Sequence, residues 1–180
     1  MSDYVLTKPE LRSVKASRTD FAGQPRNPII LILDGVRNGY NVGSIFRLCD
    51  AFLIERLVIC GTPPVLRKRK LVAAAAGTQR WVPWKSADTA ADAVQAAKAA
   101  GYWVAAIELT AFSVSVDAMR PKFPAALVLG GETRGVSSDA LALADQAVAI
   151  PMMGMANSLN VATAAAIVLH ELVKCHGNHN

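Results

Sequence analysis

The run Ile29-Ile-Leu-Ile-Leu33 leaves few options for the fold. Five consecutive large apolar residues, three of them β-branched, suit a strand covered on both faces, and strands of that kind belong to parallel sheets. The residues that follow change period. Val42, Ile45, Phe46, Cys49, Phe52 and Leu53 recur at helical spacing, with Asn41 placed to cap the helix. The same alternation continues. Leu57-Val-Ile-Cys60 reads as a second strand. A helix is expected from about 66 to 76, stopped by Gly77. Arg80-Trp-Val-Pro-Trp84 reads as a short extended piece whose proline suits a sheet edge. An alanine-rich helix is expected over 86–100, closed by Gly101. Trp103–Ile107 and Ala125–Leu129 read as further buried strands. A short helix from about Ser137, a strand over 146–150 and a long helix from about Asn157 complete the pattern. Strands alternating with helices predict a parallel, Rossmann-like α/β sheet with helices on both faces.

Residues 28–180 are expected to form a single domain, since 180 residues supply one sizeable core. Residues 1–27 read as a basic N-terminal arm holding one short helix. The apolar fraction is 52%, yet no run of about 18 apolar residues exists to span a bilayer. The stretch from Val161 to Val173 is too short and carries His170 and Glu171. No apolar signal core opens the chain, so a cytoplasmic protein is expected. Cys49, Cys60 and Cys175 are odd in number and lack metal-ligand spacing. They read as buried, reduced thiols, and no metal is expected.

The net charge of +5 points to an anionic partner. Lys8, Arg12, Lys15, Arg18, Arg26 and Arg37 crowd the first part of the chain, and Arg67-Lys68-Arg69-Lys70 forms a compact run. Such a run is either a solvated helix start or a contact for a phosphate backbone.

Three segments offer glycines and polar side chains at the carboxyl ends of expected strands, where open α/β sheets bind ligands. They are Asn41-Val-Gly-Ser-Ile-Phe-Arg47, Leu127–Gly135 (LVLGGETRG) and Ile150–Asn160 (IPMMGMANSLN). Gly130 and Gly131 would let a ligand approach the backbone closely. The Met- and Gly-rich third segment suits a nucleoside or a thioether-bearing cofactor. Neither a G-x-G-x-x-G nor a G-x-x-x-x-G-K-[ST] fingerprint follows the first strand. Taken singly, Arg47 reads as a surface residue, Glu132 as a turn carboxylate, and Ser158 and Asn160 as helix caps. Their joint placement at strand ends is what makes them candidates.

The three segments resemble the signature motifs of the SpoU/TrmH-type RNA ribose 2′-O-methyltransferases, within the SPOUT class. Asn41, Gly43, Ser44, Ile45 and Arg47 match N-x-G-[SAN]-[IL]-x-R. Gly130, Glu132 and Gly135 match G-x-E-x-x-G. Ile150, Pro151, Met152, Ser158, Leu159 and Asn160 match the third motif. The resemblance covers about residues 28–173. It implies a C-terminal trefoil knot, against the usual rule, and a homodimer. It implies S-adenosylmethionine held by Leu129, Gly130, Gly131, Ile150, Met152 and Leu159. It also implies an RNA substrate, tRNA favoured over rRNA, contacted by Arg18 and the Arg67–Lys70 run. Arg47, Asn41, Glu132, Ser158 and Asn160 match the family's catalytic positions. A ribose hydroxyl needs a base, and guanidinium deprotonates only above about pH 12. Arg47 therefore either becomes a proton acceptor in an unusual setting or stays charged and positions phosphate and hydroxyl. Glu132 is expected to brace Asn41 and Arg47, and Ser158 and Asn160 to position the ribose or Arg47. Two other readings stand beside this one. One is a knotted RNA-binding or ribosome-assembly protein without turnover. The other is a knotted enzyme acting on a base nitrogen, against which the N-x-G-x-x-x-R segment speaks.

Overall fold

Ile29 to Leu33 form the middle of β1 (Asn27–Asp34), and all five are buried. The computed structural model describes residues 5, 7–13, 15, 21, 23–62 and 68–177. Among these, one seven-stranded sheet is built from β1, β2 (Ile54–Cys60), β3 (Trp84–Ala87), β4 (Trp103–Ile107), β5 (Val114–Ser115), β6 (Ala125–Gly130) and β7 (Gln146–Ala149), in the order β3-β2-β1-β6-β4-β7-β5. Every strand pair is parallel. The chain moves outward from β1 to β3, then crosses to build the other half. Strand order thus reverses beside β1, a place where such sheets open a crevice.

The helices are α1 (Lys8–Ser13), α2 (Gly39–Ala51), α3 (Arg69–Ala75), α4 (Ala90–Ala99), α5 (Ser138–Leu143) and α6 (Val161–Gly177). Alternate residues of β1 face opposite layers. Ile29, Leu31 and Leu33 pack with Val42, Ile45, Phe46 and Cys49 of α2, Leu71 of α3, and Ala165, Val168 and Leu169 of α6. Ile30 and Ile32 pack with Ala93, Val94 and Ala97 of α4 and Ala140 of α5. The period-2 burial of one apolar run therefore separates the two helical layers.

Several boundaries differ from the sequence expectation, each for a local reason. Asn38, not Asn41, caps α2: its extended backbone and its side chain, which accepts the Tyr40 N–H at 2.9 Å, start the helix earlier. Asn41 then lies within the first turn and is buried. α4 starts at Ala90 because Thr89 accepts the Asp92 N–H. The extended piece expected over 80–84 begins only at Trp84, since Thr78–Arg80 close a 3-10 turn, but β3 does lie at the sheet edge. α6 starts at Val161 rather than Asn157, and Asn160 serves its first turn by accepting the Ala162 N–H at 3.0 Å. The two-residue strand β5 has no readable apolar pattern. Arg18, Arg67 and position 66, where the helix was expected to begin, lie outside the described residues.

Packing between α2 and α3 is close. A Cβ on Gly43 would lie 2.5 Å from the Leu71 carbonyl oxygen and 2.8 Å from Ala74 Cβ. Glycine is what lets the two helices touch at that point. The contact seats Lys68, Arg69 and Lys70, all exposed, beside the start of α2. Lys70 Nζ stands 5.9 Å from the centre of the Tyr40 ring.

Candidate functional site

The first, second and third segments meet at the carboxyl edge of the sheet through their side chains. Asn41 comes from the first turn of α2, Glu132 from the loop after β6, and Asn160 from the residue before α6. Asn41 Nδ2 donates to Glu132 Oε1, and Asn160 Nδ2 donates to Asn41 Oδ1 at 2.9 Å. Asn160 Oδ1 is meanwhile held by the Ala162 N–H. The amide groups are thereby oriented: each oxygen accepts and each nitrogen donates. Asn41, 7% exposed, has its side-chain donor and acceptor both engaged.

A cleft of about 500 Å³ opens beside this chain of hydrogen bonds. All six residues expected to hold a cofactor line it: Leu129, Gly130, Gly131, Ile150, Met152 and Leu159. Glu132, Ser158 and Asn160 line it as well. Its walls are apolar at Ile107, Leu129, Val148, Ile150, Val161 and Ala164. From Pro151 to Leu159 the backbone makes no hydrogen bond to any other described residue, so its N–H and C=O groups remain open to a ligand. Apolar walls with a few convergent polar groups are the usual make-up of a small-molecule site.

The glycines of the second segment, besides lining the cleft, serve a packing purpose that was not expected. A Cβ on Gly130 would fall 2.0 Å from the Gly135 carbonyl carbon, and one on Gly131 would fall 2.7 Å from the Gly35 carbonyl oxygen. What approaches closely here is the chain itself. The Gly131 N–H donates to the Asp34 carbonyl at 2.8 Å, and the Gly135 N–H donates to the Gly131 carbonyl at 2.9 Å. This tight return places Glu132 over the end of β1, facing Asn41.

Arg47 is not part of the cleft. It is exposed on α2, and no hydrogen bond or ion pair to a described residue holds it. Six residues beyond Asn41, it points about 120° away around the helix. The hydrogen bond at Glu132 therefore reaches Asn41 and not Arg47, and neither Ser158 nor Asn160 is hydrogen-bonded to Arg47. Lys68 to Lys70 sit beside the start of α2, outside the cleft.

One charged lining residue was not anticipated from the sequence. Glu108 follows β4, faces the cleft, and accepts the Leu109 N–H at 3.0 Å and the Val136 N–H at 2.9 Å. An acidic residue directly after a buried strand was the available signal.

The parallel sheet, the reversal of strand order and an apolar cleft built from strand-end loops define a doubly wound α/β domain with a nucleoside-type site. Residues 28–170 match the SpoU rRNA Methylase family, and the chain belongs to it. The tRNA (guanosine(18)-2′-O)-methyltransferase of Escherichia coli (strain K12) is 35% identical over 147 residues, 81% of this chain and 63% of that protein. The chain thus spans less than two thirds of that relative's length. The A. aeolicus TrmH/SpoU tRNA modifying enzyme superposes with a TM-score of 0.78 at 29% identity, covering 89% of this chain and 81% of the other. The AdoMet-bound rRNA methyltransferase from Sinorhizobium meliloti does so with 0.77 at 29% identity, covering 87% and 60%.

Proposed function

We propose that this chain transfers a methyl group from S-adenosylmethionine to a ribose 2′-hydroxyl of RNA, with tRNA favoured over rRNA. The observation that carries the reading is the Glu132–Asn41–Asn160 chain of hydrogen bonds beside the cleft, which joins all three segments at one place. Relatives that act on tRNA ribose support it. So does the fit of the cofactor to the cleft. The volume suits a nucleoside with a short tail. Leu129, Ile150, Leu159 and Ala164 offer apolar faces to a base, and the open backbone of Pro151–Leu159 offers donors and acceptors to its edge.

When bound, the cofactor supplies a methyl group already activated on a sulfonium, so the protein's task is mainly positioning. Asn41 and Asn160 hold each other's amides rigid, and Glu132 fixes Asn41. Ser158 has no hydrogen bond to a described residue, which leaves its hydroxyl available to the ribose. Arg47, exposed and unrestrained, is free to meet an RNA phosphate. There it either accepts the hydroxyl proton or stays charged and aligns phosphate and hydroxyl. Lys68, Arg69 and Lys70 grip the backbone nearby, together with Arg67 and Arg18. The same reading includes a homodimer whose sites lie near the subunit interface, a trefoil knot around the cleft, a basic arm over 1–27 and a cytoplasmic location. Among the described residues no helix is long and apolar enough to cross a membrane, and no cluster of ligating side chains could hold a metal.

The test is methyl transfer. Protein and labelled S-adenosylmethionine are mixed with unmodified tRNA and, separately, rRNA, beside an Arg47→Ala control. Label recovered as a 2′-O-methyl nucleoside in one pool, and lost in the control, supports the reading. Cofactor binding without transfer to either pool would instead favour the RNA-binding protein without turnover.

A further inference from the structure

We propose that Glu108 binds the vicinal ribose diol of the nucleoside ligand in the cleft, an assignment that rests on the S-adenosylmethionine reading above. Glu108 stands at the carboxyl end of β4 and lines the cleft beside Leu129, Gly130 and Gly135. Its two oxygens are each held once, Oε1 by the Leu109 N–H and Oε2 by the Val136 N–H. A carboxylate offers about four acceptor positions, so one remains on each oxygen. The two amides fix the plane of the group, and no cation among the described residues pairs with it.

A half-buried, oriented carboxylate with two spare acceptors calls for a neutral ligand with two adjacent donors. The 2′- and 3′-hydroxyls of a ribose meet that requirement. Acidic residues at strand ends hold ribose hydroxyls in dinucleotide-binding sheets for the same reason. Space has been kept for the group as well. A Cβ on Gly135 would lie 2.2 Å from Glu108 Oε2, so the last glycine of the second segment and this carboxylate depend on each other. The role of holding the Val136 N–H needs no charge; an amide oxygen would do. The charge is accounted for by a ligand whose O–H groups it accepts more strongly than an amide would.

The ammonium of the ligand's amino-acid tail is the competing partner for Glu108, and the choice of ligands separates the two. Calorimetric affinities are measured for S-adenosylhomocysteine, its 2′-deoxyribose analogue and 5′-methylthioadenosine, which lacks the amino-acid group. The wild type is expected to favour the ribose over the deoxyribose ligand by about tenfold. Glu108→Ala is expected to erase that preference and to weaken 5′-methylthioadenosine as much as S-adenosylhomocysteine. Glu108→Gln keeps an acceptor for the Val136 N–H, so it folds if that bond matters, and it is expected to retain only part of the preference. A preference that survives in Glu108→Gln and Glu108→Ala overturns the assignment, as does a 5′-methylthioadenosine affinity that neither variant changes. Wild-type protein that binds S-adenosylhomocysteine without any ribose preference also overturns it, while leaving the parent reading standing. Wild-type protein that binds none of the three ligands removes both.

Discussion

Asn160 donates to Asn41 across 119 residues of chain, at 2.9 Å, and this one bond ties the start of α6 to the first turn of α2. Removing either amide leaves the other with an unmet group, at a cost of about 1–3 kcal/mol. Asn41→Ala and Asn160→Ala are each expected to lower both stability and methyl transfer. The double variant should be less damaged than the sum of the two, by about 0.5–3 kcal/mol in urea unfolding. Strict additivity would show that the bond carries no energy.

Arg47 offers the opposite case. It is exposed and held by no described residue, so Arg47→Ala should shift stability by no more than about 0.5 kcal/mol. Transfer to RNA should nevertheless fall by about 100-fold or more. Arg47→Lys distinguishes its two roles. A point charge toward phosphate would survive the change, whereas a planar fork engaging phosphate and hydroxyl together would not. Thermal melts beside single-turnover rates decide this.

Gly43→Ala should harm the protein through packing alone. The added methyl would press on the Leu71 carbonyl and Ala74, and overpacking of this kind costs about 1–3 kcal/mol. Chemical denaturation reads it directly; an unchanged midpoint would mean that α3 moves aside freely.

The cysteines should differ in reactivity. Burial drives the Cys49 thiol far above its ordinary range, and burial followed by the nearby Asp34 and Asp92 charges pushes Cys60 up to about 12. Both remain protonated at pH 8 and shielded, while Cys175 is only partly buried. A disulfide reagent at pH 8 should label Cys175 in the native protein, and Cys49 and Cys60 only after denaturation.

Asp145 supplies a pH signature. Partial burial raises its pKa, but the Lys98 ammonium at 2.5 Å and the Val104 N–H at 2.8 Å outweigh that, so the net shift is downward. A depressed folded pKa gives stability that is present above the unfolded value near about 3.9 and lost as pH falls through the folded one. Asp145→Asn should therefore destabilise the protein at pH 7 and matter much less in acid below the folded pKa. An equal effect at both would rule out a charged role.

Periodicity carried the fold a long way. The buried runs at 29–33, 103–107 and 125–129 are strands with almost those bounds, because burial on both faces leaves an unmistakable local pattern. Helix starts were less legible. Asn38 and Asn41 are both good caps by type, and only the backbone at Asn38 decides between them. The cofactor-type residues all line one cleft because strand ends gather loops by geometry. Arg47 was legible in another way: six residues beyond Asn41 on one helix, it must point elsewhere, although the motif match grouped the two. Glu108 lay outside any motif, and its bond to the Val136 N–H spans 28 residues. The use of Gly130 and Gly131 was equally hidden, since a sequence cannot tell whether the close neighbour is a ligand or another part of the chain.

Because every strand runs the same way, the molecule has a working rim and an idle one. The idle rim carries the turns that enter β2, β4 and β7, around Leu53, Gly101 and Asp145. A strand of five residues is about 16 Å long, so a label attached at the exposed Ala100 sits a full sheet height from the cleft. A dye or an immobilising linker placed there would leave the cleft and the lysines beside α2 unobstructed. Fixed on a surface by that rim, the protein would present its site outward, ready for single-molecule observation.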